Sequence, residues 1–294
     1  MPGRARLRAG GDGRRGGRGD PPAVTGRAVG SRPVAEALWT DVAGTYARSF
    51  AGLCAGAVPA LLDDLPSQAR LLDVGCGTGT LVAAAREAGL DAMGVEPDPE
   101  MAALAESFLG SSEDVVVGGL PDLPFADDGF DVVTASFVLN HVDHPRAGAQ
   151  ELARVAAPGG VVRTTIWGRV PPPQAVMWNG LLDEADAARP PSPRLPEDRD
   201  FERSPDGLAG ILSEAGLAVT RAGSRAWRWR VAPDDLWAGL TSIGNFGVTW
   251  RAQSEAVQAR LRTAYDELGG PWRDGDRFAF DVECVSVEAR VPRS

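Results

Sequence analysis

The sequence predicts an α/β fold built on a mainly parallel sheet with helices on both faces. Three observations predict it. Short apolar runs alternate with helical stretches between Arg70 and Trp167, the pattern of strands joined by crossover helices. The first run, Leu71 to Val74, ends in a glycine turn that opens directly into a helix. The composition, 44% hydrophobic and 24% charged over 294 residues, is that of a globular chain.

The elements follow in order. Residues 33–65 read as helical, broken near Gly44, Gly52–Gly56 and Pro59. Arg70–Val74 is a buried strand, Leu81–Ala88 a helix that Gly89 stops, and Ala92–Val95 a second strand. Asp98 caps a helix that starts with Pro99 and runs to about Leu109. Val115–Val117 and Phe130–Phe137 are strands. Arg146–Val155 is a helix stopped by Pro158-Gly159-Gly160, and Val161–Trp167 is a fifth strand. Prolines at 171–173, 190, 191, 193 and 196 frame a helical stretch, Ala175–Ala188, which reads as a mobile lid inserted at about 171–200. A helix, Pro205–Ala215, and a strand, Ala218–Ala222, follow. Arg225–Val231 alternates, with Trp227, Trp229 and Val231 on one face and Arg228 and Arg230 on the other. Helices over Pro233–Leu240 and Gln253–Leu268 precede a closing strand, Arg277–Val291.

Composition excludes several classes. No apolar run is long enough to span a bilayer, and the arginine-rich N-terminus lacks the apolar stretch of a secretory signal. Cys54, Cys76 and Cys284 are odd in number and far apart, which argues against a disulfide framework or a zinc site and for a cytoplasmic protein. The chain has a net charge of −10. Residues 1–32 carry eight arginines against Asp12 and Asp20, so the remainder stands at −16. Such a body is a poor partner for nucleic acid. Residues 1–32 read as a disordered, solvated Arg/Gly-rich tail, although Arg14–Gly19 also has the look of an RGG-type RNA-binding run.

The chemistry concentrates at Asp73-Val74-Gly75-Cys76-Gly77-Thr78-Gly79. Glycines allow positive φ and a close approach of ligand to backbone, and free N–H groups at a helix start favour an anionic group. Glu96 ends the second strand, where a carboxylate accepts hydrogen bonds from ribose hydroxyls. The spacing is G-x-G-x-G, not the G-x-G-x-x-G of dinucleotide-binding folds. Asp73 would repel a pyrophosphate but attract a ligand carrying ammonium and sulfonium charges.

These residues resemble motif I and the acidic post-I position of the class I S-adenosylmethionine-dependent methyltransferases. The likeness is to the small-molecule group that includes the ubiquinone and menaquinone biosynthesis enzymes. Leu123-Pro124-Phe125, Phe130-Asp131-Val132-Val133, Asn140-His141-Val142 and the run from Glu151 to Gly160 match later signatures in the same order, and the likeness covers roughly residues 35–168. It implies a doubly wound, Rossmann-like, seven-stranded sheet with N-terminal helices. It also implies methyl transfer from S-adenosylmethionine to an oxygen, nitrogen or carbon atom of a small-molecule acceptor. By the same resemblance, Asp73, Gly75, Cys76 and Gly77 would meet the methionine part of the cofactor and Glu96 both ribose hydroxyls. Pro97, Met101 and Leu120 would border the adenine, Phe137 would line the amino-acid end, and Tyr46, within Trp39–Tyr46, would close over the whole. The aspartate that usually meets the adenine amino group is here Gly119.

His141, beside this region, is a candidate general base or a loop residue that shapes the pocket. The tryptophans after residue 220, with Phe246, read as core packing or as an aromatic wall for an acceptor, and the lid at 171–200 and an Asn245-Phe246-Gly247 loop read as substrate cover. Cys76 reads as a small residue that fits its turn. Arg228 and Arg230 read as a solvated strand face. A non-catalytic module on the same fold, and a nicotinamide-dependent oxidoreductase, stay open as alternatives. The sequence shows no metal-ligand constellation, and it leaves the acceptor and the oligomeric state open.

Overall fold

A computed structural model describes residues 41–191 and 194–293. The tail of residues 1–32 and Trp39 lie outside the described residues. Three short helices come first: α1 (Ala43–Arg48), α2 (Phe50–Ala55) and α3 (Val58–Leu62). The alternating part follows: β1 (Arg70–Val74), α4 (Thr80–Glu87), β2 (Asp91–Glu96), α5 (Pro99–Leu109), β3 (Val115–Val117), β4 (Phe130–Ser136), α6 (Pro145–Val155) and β5 (Ala156–Ile166). The last part comprises α7 (Pro173–Glu184), α8 (Pro205–Glu214), β6 (Ala218–Val231), α9 (Pro233–Ser242), α10 (Gly244–Arg251), α11 (Glu255–Asp266), β7 (Arg273–Asp274) and β8 (Arg277–Arg290).

The strand order is β3-β2-β1-β4-β5-β8-β6, with the two-residue β7 paired to β8. Strands β1 to β5 pair parallel to one another, and β8 runs antiparallel between β5 and β6. The doubly wound sheet of the sequence reading is therefore present, with β7 added at one end. Helices α6 and α8 bury Leu152, Val155, Leu208 and Leu212 on one face of the sheet, while α3, α4 and α5 bury Leu61, Val82 and Ala105 on the other.

The final strands leave the common layer. Ile166 of β5 pairs with Val285, and beyond that point residues 278–284 of β8 continue, paired with 225–231 of β6. This two-stranded extension projects by about 24 Å past the carboxyl end of β5. Helices α7, α9 and α11, with α1 and α2, pack on it around a third core of Phe50, Trp178, Trp229, Leu240, Tyr265 and Phe280. It forms a cap over the carboxyl ends of the parallel strands.

Four local expectations need correction. Residues 218–231 form one strand, because Gly223 and Ser224 pair with Ser286 and Val285 and the ladder carries them through. Asn245-Phe246-Gly247 is no loop but lies in α10, where Phe246 packs on Phe50 and Trp178. Pro158-Gly159-Gly160 falls inside β5 rather than before it: Gly159, at φ 81°, donates its N–H to the Val291 carbonyl. The stretch expected to be a mobile lid buries Met177, Trp178, Leu181 and Leu182 in the cap core, since these side chains recur on one helix face.

Arg163 of β5 ties the N-terminal helices to the sheet. It is buried, with its Nε and Nη2 on Glu288 Oε2 at 2.9 and 2.7 Å. Its Nη1 donates to the carbonyls of Leu61 and Asp63, at the end of α3, at 3.0 and 2.5 Å. A cation there satisfies carbonyls that the helix leaves unpaired.

Candidate functional site

The site forms where β1 and β2 end. Gly75 and Cys76 donate their N–H groups to the Val95 carbonyl, which stitches the glycine loop to β2. Gly75 takes φ 68°, and a Cβ there would stand 2.6 Å from Val138. Cys76 turns its side chain inward: its Sγ lies 2.6 Å from where a Cβ on Gly94 would stand. The pair Cys76 and Gly94 is thus a packing match, and Cys76 faces the loop's surroundings through its backbone alone. Burial pushes its thiol far above the usual range, with Asp73 and Glu96 adding to the effect.

Two carboxylates end up buried beside this loop. Asp73 is 2% exposed and accepts a hydrogen bond from Thr134 Oγ1 at 2.8 Å. Glu96 is 8% exposed and accepts from the N–H groups of Gly77 at 2.9 Å and Asp98 at 3.1 Å. The anionic partner expected at the loop amides is thus in part supplied by the chain itself. Burial pushes both carboxyls up to about 7, against the pull of these hydrogen bonds. The Tyr46 ring lies over the loop, 3.6 Å from where a Cβ on Gly77 would stand. Its hydroxyl shares a hydrogen bond with the Cys54 thiol, and burial raises its pKa well above the usual range.

The remaining expected residues distribute around this centre. Met101 is buried on α5 and Pro97 is exposed at the end of β2. Pro97 also packs close to Gly119: a Cβ at 119 would stand 3.1 Å from the Pro97 ring. Leu120 is half-buried and reaches toward Gly148. Phe137 adopts φ 59°, uncommon for a bulky residue, and stacks on Trp167 at 4.1 Å, with Trp227 at 6.4 Å. His141 is half-buried next to Arg203; burial and that charge lower its pKa to about 4. It is therefore neutral at pH 7 and a weak base. Arg228 and Arg230 pair with Asp281 and Asp274 on the exposed face of the extension.

Three contributors escaped the sequence reading. Thr134 is one of three polar residues in β4, with Asp131 and Ser136, and carried no signal of its own. Cys54 and Arg203 had none, because their partners are brought together only by folding. Among the described residues, no helix is long and apolar enough to cross a membrane, and no group of three or more His, Cys, Asp or Glu is placed to hold a metal.

Residues 72–164 match the family model of a methyltransferase domain. That interval holds the glycine loop, both buried carboxylates, Phe137 and His141. Over that interval the chain is similar to methyltransferase domains. Over 129 residues it is 38% identical to an uncharacterized methyltransferase of Mycobacterium avium, a match that covers 40% of this chain and 51% of that one. Over 100 residues it is 43% identical to one of Mycobacterium leprae, covering 33% and 37%. The match thus spans about half or less of the length of these relatives. Two solved structures share the fold. A SAM-dependent methyltransferase of Thermotoga maritima aligns over 87% of this chain and 99% of its own, with TM-score 0.51 and 16% identity. The YcgJ protein of a Bacillus aligns over 82% and 99%, with TM-score 0.50 and 20% identity.

The raised carboxyls of this site fix a pH dependence. In the folded chain Asp73 and Glu96 hold their protons up to about 7, whereas in the unfolded chain they release them near 4. Their contribution to stability is complete below about pH 4 and is lost as pH rises through 7. For Asp73 it amounts to at most about 4 kcal/mol. The Tm of the free protein is expected to fall between pH 6 and 8, and to fall less in Asp73→Asn. Thr134→Val removes a hydrogen bond to the ionised form and should move the window upward, while Thr134→Ser should leave it in place. A Tm profile unchanged by Thr134→Val would contradict the assigned contact.

Proposed function

We propose that the chain transfers a methyl group from S-adenosylmethionine to an oxygen, nitrogen or carbon atom of a small molecule. One observation carries this reading: two buried carboxylates, Asp73 and Glu96, flank a glycine loop whose backbone is bare enough for close approach. The donor set fits the cofactor. An acidic pair suits an ammonium group and a ribose diol and repels a phosphate. Asp73 would hold the ammonium and Glu96 the ribose hydroxyls, each carboxylate keeping lone pairs beyond those already engaged. Gly75 and Gly77 would pass the methionine chain, and Cys76 would contribute its backbone. Pro97, Met101 and Leu120 would border the adenine. Phe137 would line the amino-acid end, and Tyr46 would cover the site.

Bound there, S-adenosylmethionine supplies an electrophilic methyl group. The chain's own residues orient the acceptor for in-line attack and exclude water, which is where most of the acceleration arises. His141, neutral at pH 7, can accept a proton from an acceptor hydroxyl, but its low pKa makes it a weak driver, and His141→Ala should leave more than about a tenth of the activity. The deciding experiment is isothermal titration of the purified protein with S-adenosylhomocysteine. Micromolar binding supports the reading, and absence of binding sinks it.

A further inference from the structure

The packing of the cap core leaves buried polar atoms unanswered, and two of them lie on one helix. Gln174 is 3% exposed and Trp178 is 2% exposed, yet neither Gln174 Oε1 nor Trp178 Nε1 has a hydrogen-bond partner. They stand four residues apart on α7, so they share one helix face, one above the other. That face is the buried one, which also carries Met177 and Leu181. Trp178 meets the rings of Trp237 at 6.2 Å and Phe246 at 6.5 Å, both nearly edge-to-face, and Phe246 in turn meets Phe50 at 5.9 Å. Folded proteins rarely leave buried polar atoms unpaired, and the exceptions call for an explanation.

The place of α7 supplies one. It starts seven residues after β5 ends, and Trp167, on the connection, stacks on Phe137 at the end of β4. The same core includes Tyr46, the ring that lies over Gly77. Trp178 therefore lies in the same cap core as Tyr46, with Gln174 one turn away on the buried face of α7.

We propose that Gln174 and Trp178 form the polar end of an acceptor subsite within the cap, for an uncharged aromatic molecule that bears a hydroxyl group. This rests on the methyl-transfer reading and names the acceptor class for it. The complementarity is specific. Trp178 Nε1 can only donate and Gln174 Oε1 can only accept. A hydroxyl does both, so one group on the ligand answers both atoms. Aromatic walls suit a planar body, through offset and edge-to-face contact. Gln174 and Trp178 bring no charge of their own to that end, so an ion would meet no counter-charge from either and be disfavoured.

The test uses 2-naphthol as the probe, with naphthalene and 2-naphthoate as controls. Each is titrated into the full chain with and without saturating S-adenosylhomocysteine. 2-Naphthol is expected to bind at least about tenfold more tightly than either control. Gln174→Leu and Trp178→Phe, which keep the bulk and remove one partner each, should bring 2-naphthol down to the level of naphthalene. Both should leave the affinity for S-adenosylhomocysteine within about twofold, since neither is placed at the glycine loop. If Trp178→Phe fails to fold, Gln174→Leu decides alone. Equal binding of naphthol and naphthalene, preference for the anion, absence of binding, or indifference to Gln174→Leu would overturn the proposal. Failure of S-adenosylhomocysteine to bind would sink the cofactor reading instead, and the titrations without it would still decide this one.

Discussion

Glu96→Ala is expected to weaken S-adenosylhomocysteine binding by at least about 100-fold, the largest effect at any single site residue. Two hydrogen bonds from ribose hydroxyls to an ionised carboxylate are worth about 1.5–3 kcal/mol each. Even the lower sum is about 3 kcal/mol, or two decades in affinity. The same carboxylate also accepts from Gly77 and Asp98, so its loss loosens the glycine loop. Glu96→Gln separates these contributions. It keeps the bulk, but its amide group would set one donor against a backbone donor, so an intermediate loss is expected. The measurement is calorimetric titration of all three proteins at pH 8, where burial no longer keeps the carboxyl protonated. A Glu96→Ala affinity within about threefold of wild type would remove Glu96 from the site.

Arg163→Met is expected to be the most destabilising substitution away from the site, by about 3–5 kcal/mol. The loss would leave Glu288 without its guanidinium partner in a largely buried position, and the carbonyls of Leu61 and Asp63 without donors. Burial works against ionisation of Glu288, yet the Thr220 hydroxyl, Arg163 and Arg221 hold its carboxyl below the usual range. Removing Arg163 takes away part of that support. The Tm should drop by about 10 °C at pH 7. Adding Glu288→Leu to Arg163→Met should recover part of the loss, since an apolar pair leaves no unpaired charge. A single substitution with unchanged Tm would show that the ion pair and its carbonyl contacts contribute nothing.

Much of this fold is legible locally. Asp98 and Pro99 start α5 where their chemistry says, with Asp98 accepting from Glu100 and Met101, and Gly110 ends it at φ 81°. Strands β1 and β3 fall within the expected bounds because a short apolar run between turn residues has few other uses. Failures occur where the cause lies elsewhere in the chain. The stretch 218–231 is held straight by β8, whose paired residues lie 47 to 72 positions further on. Helix α10 forms because Phe246 has Phe50 and Trp178 to pack on. The same divide runs through the site. Asp73 and Glu96 stand out as acids at the ends of apolar strands beside glycines, so they can be read. Thr134 acquires its meaning only when folding sets it against Asp73, 61 residues earlier.

Strands β6 and β8 run unbroken from the cofactor layer into the cap, fourteen residues each. The cap is therefore a cantilever and not a hinged door. No flexible linker separates these strands' two halves, so a guest cannot swing the cap aside as a rigid body. Room must be made by spreading helices apart within it.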